Sequence, residues 1–108
     1  MSVSPGDRRR ALDLFAPLRD VTAKPMMECV ALSWRDHVFA AIDPDGTIYL
    51  RASGAIADDL ERLGGSQLQV HGAGGQVMRL GYWSLTGAAS EDPALACTWA
   101  LRVLEAED

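Results

Sequence analysis

Apolar residues in this chain recur with two different periods, and the change from one to the other marks out its elements. Ala11, Leu14, Phe15 and Leu18 stand at i, i+3, i+4 and i+7, with Leu12 widening the stripe, which predicts an amphipathic helix. Ser4-Pro5-Gly6-Asp7 suits its start, with a capping hydroxyl, a proline for the first turn and an acid near the positive helix end. Pro17 lacks a backbone donor and predicts the end or a distortion of this helix. Val21 to Pro25 reads as a lead-in, and Met26 to Arg51 as three short strands joined by two tight turns.

The second of these turns sets its own register. Pro44 fixes φ for a type I turn, Asp45 tolerates the next position, and Gly46 supplies positive φ. A three-residue loop of this kind pairs Asp43 with Thr47, Ile42 with Ile48, and Ala40 with Leu50. Strand alternation then turns Val38, Ala40, Ile42, Ile48 and Leu50 toward the core, and Phe39, Ala41, Tyr49 and Arg51 toward the outer face.

Ser53 opens a second helix with Ile56, Leu60 and Leu63 inward, closed by Gly64-Gly65. Gln67 to His71 alternates as a half-buried strand, Gly72-Ala73-Gly74-Gly75 forms a flexible turn, and Gln76 to Ser84 runs back. In that last strand Met78, Leu80 and Tyr82 point one way, and Val77, Arg79 and Trp83 the other. Asp92-Pro93 starts a final helix with Ala96, Cys97, Ala100, Leu101, Val103 and Leu104 as a wide apolar face. Glu105, Glu107 and Asp108 oppose the helix dipole and predict fraying at its end. The order α-β-β-β-α-β-β-α, with short hairpins, describes an antiparallel sheet with helices on one side: an α+β two-layer domain covering residues 1–108.

Composition narrows the classes of function. Hydrophobic residues make up 48% and charged residues 23%, ordinary globular usage, so the chain is expected to fold around a core. A net charge of −5 argues against nucleic acid or an anionic membrane as the main partner. Arg8-Arg9-Arg10 then reads as a solvated helix face. No secretory signal is visible and no stretch approaches the roughly 18 apolar residues of a membrane span, so the cytoplasm is the expected compartment. Cys29 and Cys97 sit in apolar contexts and read as reduced core thiols, with a disulfide between them as the alternative.

No constellation points to a named reaction, so the expectation is a non-enzymatic domain without cofactor, metal or catalytic residue. Cys29 has no nucleophile signature beside His37 or His71, and these two histidines lack neighbouring ligands for zinc. Asp43-Pro44-Asp45-Gly46 lacks the spacing and terminal Glu of a calcium loop. Gly72-Ala73-Gly74-Gly75 joins two strands, whereas a phosphate cradle feeds a helix N-terminus.

The aromatic side chains are the sharper clue. By strand parity Phe39, Tyr49 and Trp83 fall opposite the core, and Trp34 joins them, with Val30 and Leu32, if the turn at Arg35-Asp36-His37 has a two-residue loop. With Arg51 they form a candidate interaction face: either aromatics that cover neighbouring strands, or a patch that buries against another protein or a second copy as a homodimer. The alternative is a small-molecule-binding or enzymatic domain with a pocket near Met26, Met27 and Cys29.

Several strings, in order and spacing, resemble the N-terminal domain of the TfoX/Sxy competence-regulator family. They are Lys24-Pro25-Met26, Trp34-Arg35-Asp36, Val38-Phe39-Ala40-Ala41-Ile42, Asp45-Gly46-Thr47-Ile48-Tyr49-Leu50-Arg51, Gly81-Tyr82-Trp83-Ser84-Leu85, and Asp92-Pro93 with Trp99-Ala100. The resemblance covers nearly the whole chain. It implies an α+β fold with a five-stranded antiparallel sheet, similar in layout to type III secretion chaperones, and a regulatory or protein-interaction role in bacteria. It carries over no catalytic residue. Members usually have Met-Phe-Gly-Gly where this chain has Met26-Met27-Glu28-Cys29, and the expectation is a stand-alone domain without the helical second domain of full-length competence regulators. Competence is therefore not expected to carry over wholesale.

Overall fold

The computed structural model describes residues 2–72 and 74–106. Ala73 of the glycine-rich turn, and residues 107 and 108 where fraying was expected, lie outside them. Helix α1 spans Pro5–Leu14, with the Ser4 hydroxyl accepting from the Asp7 amide at 3.1 Å. A short 3-10 turn, Ala16–Leu18, follows at Pro17. Four strands come next, β1 Val21–Met26, β2 Cys29–Trp34, β3 His37–Ile42 and β4 Ile48–Arg51. Helix α2 (Gly54–Arg62), strands β5 (Gln67–His71) and β6 (Val77–Ser84), and helix α3 (Pro93–Ala106) complete the order.

The expected α+β class and antiparallel sheet are present, but the sheet has six strands rather than five, in the order β1-β2-β3-β4-β6-β5. The additional strand is Val21–Met26, which the sequence offered only as a lead-in. Lys24 and Pro25 are poor strand residues, yet β1 is an edge strand, where a proline's missing donor costs no ladder bond and a lysine discourages further pairing.

The Pro44-Asp45-Gly46 turn holds its predicted register: Ile42 pairs with Ile48 and Ala40 with Leu50. The Gly46 amide donates to the Asp43 carbonyl at 2.9 Å, and Gly46 takes φ +86°. The Arg35-Asp36 turn also has the two-residue loop considered from sequence, with Trp34 opposite His37 and both loop residues at positive φ (48° and 69°).

Between these turns the sheet departs from simple alternation. Leu32 pairs with Ala40 but Ser33 pairs with Val38, so Phe39 is an extra residue in β3, a β-bulge. The bulge lets Phe39 and Ala40 both enter the helix-side core, where Phe39 meets Phe15 edge-to-face at 5.1 Å. Val30 and Leu32 enter the same core, and Trp34 packs against it. Val38, expected inward, belongs to neither core cluster.

The sheet's other face carries a smaller core made only of strand residues: Cys29, Ala41, Leu68 and Val70 are buried there, with Met26, Tyr49, Met78, Leu80 and Tyr82 around them. Side chains can be buried on a helix-free face because the sheet curls over. The curl brings β1 and β2 against the opposite edge: the Tyr82 hydroxyl lies 3.9 Å from the Met26 sulfur, and the His71 amide donates to a Glu28 carboxylate oxygen at 3.3 Å.

Candidate interaction surface

Strand geometry divides the five residues predicted to share an interaction face. Phe39 is fully buried, and its outward assignment fails because the bulge breaks the period-two alternation. Trp83 is opposite Leu50 in the β4–β6 pairing and packs, half-buried, on the helix-side core. Its parity relative to Met78, Leu80 and Tyr82 is as expected, but those three residues face the smaller core and Trp83 the larger. Trp34 also packs on the helix side, with its indole N–H donating to the Leu18 carbonyl at 3.3 Å and the Arg35 guanidinium over its ring. Tyr49 alone of the four aromatics lies on the opposite face, half-buried in the smaller core. Arg51 is exposed at the end of β4, beside a cleft that includes Ser53, Gly81 and Val103. The aromatic residues therefore fill two cores instead of forming one exposed patch.

The predicted pocket residues are likewise separated. Met26 is part of the smaller core, Cys29 is buried, and Met27 is 64% exposed at the β1–β2 turn. The clefts near Arg51, Arg10 and Val3 are lined by other residues. Met27 takes φ +55°, a conformation unfavourable for a side chain with a Cβ.

The chemistry around Cys29 favours structure over reactivity. Burial, then the negative charges of Asp43 and Glu28, push its thiol up to about 11. At neutral pH the sulfur is a thiol, a poor nucleophile. Asp43 organises the neighbouring turn: one carboxylate oxygen accepts from the Asp45 and Thr47 amides at 3.0 and 2.9 Å, and the other from the Tyr49 hydroxyl at 3.0 Å. Burial and the Asp43 charge also raise the Tyr49 pKa, because both disfavour a phenolate. Cys97 is buried too, and burial is the main cause raising its pKa. Both cysteines are free thiols, as the reduced-core reading expected. Among the described residues, no group of three or more His, Cys, Asp or Glu is placed to hold a metal ion.

Helix α3 exposes large apolar side chains that strand parity could not identify. Asp92 caps it, its carboxylate accepting from the Ala94 amide at 2.9 Å, with Pro93 in the first turn. Ala96, Cys97, Ala100 and Val103 are buried. Leu101, read from the sequence as part of that inward face, is instead 46% exposed, and Leu95 is 43% exposed. Thr98 lies between them, while half-buried Trp99 stacks under the Arg102 guanidinium, which also bonds Asp59 of α2 at 3.0 Å. The legible signal was a surplus: apolar residues between Leu95 and Leu104 spread over about two-thirds of the helix circumference, more than the one face that meets the sheet. Leu63, expected inward on α2, is also exposed because the helix ends one residue earlier.

Among the described residues, three α-helices packed on one side of a curled, six-stranded antiparallel sheet define a small α+β domain with a second core on the sheet's other face. Residues 13–107 match the TfoX N-terminal domain family, and the chain belongs to it. No curated protein matches the chain. No helix among the described residues is long and apolar enough to cross a membrane.

Proposed function

We propose that this domain is a non-enzymatic regulatory module of the cytoplasm that acts by protein contact, through the outward face of α3. The observation that carries this reading is the exposure of both Leu95 and Leu101, one on either side of exposed Thr98, with half-buried Trp99 one turn from Leu95. The two leucines border the outward face of α3, and the apolar surface each leaves in water is removed from it when a partner covers that face. The partner is another protein or a second copy of this chain, and direct nucleic-acid binding plays no part, in keeping with the net charge of −5.

The test uses the full chain and a Leu95→Asp/Leu101→Asp variant, with equal thermal midpoints established first. Affinity capture from the native host, together with light scattering, is expected to show a partner or self-association that the variant loses. Equal retention by both forms would overturn the assignment to α3.

A further inference from the structure

A cleft of about 390 Å³ lies along α1, closed on one side by Val30 of β2, on a different element from the proposed protein contact. Val3, Leu12 and Val30 provide apolar lining, while Arg8, Arg9 and Asp13 provide charge. We infer that this cleft binds a small monocarboxylate with an apolar tail, its carboxylate held by Arg8 and Arg9 and its tail lying against Val3, Leu12 and Val30.

Three features support that class of ligand. The volume falls within the roughly 300–1,000 Å³ of small-molecule sites, and their usual mixture of apolar wall and few polar groups is present. The Arg8 guanidinium is oriented by a bond to the Ala23 carbonyl at 3.1 Å, which leaves further N–H donors for an anion. Two guanidiniums against the Asp13 carboxylate leave one net positive charge in the lining, which matches a monoanion. Guanidinium forks recognise carboxylates through paired, charge-assisted hydrogen bonds. Asp13 repels a carboxylate, so the anionic end is directed to the arginines and the tail toward the apolar wall.

The experiment is an amide and methyl NMR titration of the full chain with octanoate, and with octanamide as its neutral counterpart. Saturable shifts at Val3, Leu12 and Val30 are expected with octanoate, and binding about tenfold weaker with octanamide and with the Arg9→Gln variant. Arg9 is exposed, so the variant should retain the native spectrum, and that spectrum is checked before titration. Equal binding of acid and amide, unchanged octanoate affinity in Arg9→Gln, absence of saturation, or shifts centred elsewhere would each overturn the inference. The protein-contact reading stands or falls separately, because neither Leu95 nor Leu101 lines this cleft.

Discussion

Phe39 and Leu101 show how one residue's environment can reverse a reading based on period. Phe39 has no exposed surface and meets Phe15 edge-to-face, so Phe39→Ala is expected to cost about 3–5 kcal/mol in urea unfolding. Leu101, inward by helical periodicity, keeps 46% of its surface exposed, so Leu101→Ala should cost less than about 1 kcal/mol. A cost as large as that of Phe39→Ala would show that Leu101 is covered within the domain. Cys29 contributes a pH dependence whose sign follows from its raised pKa. Between pH 9, its ordinary value, and about 11, the unfolded chain releases a proton that the folded chain retains. Stability should therefore fall as pH rises through that window, with no contribution from this thiol below it. Tyr49, shifted in the same direction, adds to the loss at higher pH. Urea midpoints measured across the window should decline less steeply in Cys29→Ala than in the natural chain.

At the scale of elements, turns and caps were the most legible parts of the chain because their determinants are local. Pro44-Asp45-Gly46 fixed a register, Ser4 and Asp92 marked helix starts, and Gly64-Gly65 marked a helix end. The α2 ending is a Schellman motif: the Gly65 amide donates to the Leu60 carbonyl at 2.9 Å and the Gly64 amide to the Glu61 carbonyl at 3.0 Å. A Cβ on Gly65 would stand 2.7 Å from the Ser84 carbonyl oxygen and 2.8 Å from that of Leu60, both backbone atoms. Gly65→Ala should consequently destabilise the domain by about 1–3 kcal/mol, read as a lower urea midpoint. The β1–β2 turn predicts the opposite sign. Met27 occupies φ +55° with its side chain exposed, so Met27→Gly should stabilise by about 0.5–1 kcal/mol, and an unchanged or lower midpoint would deny that the turn is strained. The bulge at Phe39 was not legible, because it is set by how β2 and β3 align as a pair and no residue of β3 announces it.

The whole molecule explains why the candidate site could be read only in part. Alternation correctly separated Met78, Leu80 and Tyr82 from Trp83, but it could not say that both sides of the sheet would be covered. That coverage comes from curling, which joins residues distant in sequence, as in the contacts of Glu28 with His71 and Met26 with Tyr82. Because both sheet faces hold cores, the aromatic residues are not free to form one exposed patch, and the proposed contact rests instead on the exposed apolar residues of α3. The central claim, that the domain meets its partner through α3, is tested most directly by photo-crosslinking in the native host. A benzophenone side chain is placed at Thr98, between Leu95 and Leu101, or at exposed Thr22 on β1 as a control. A discrete protein adduct formed from Thr98 but not from Thr22 is the predicted result; adducts from Thr22 alone, or none from Thr98, would contradict it.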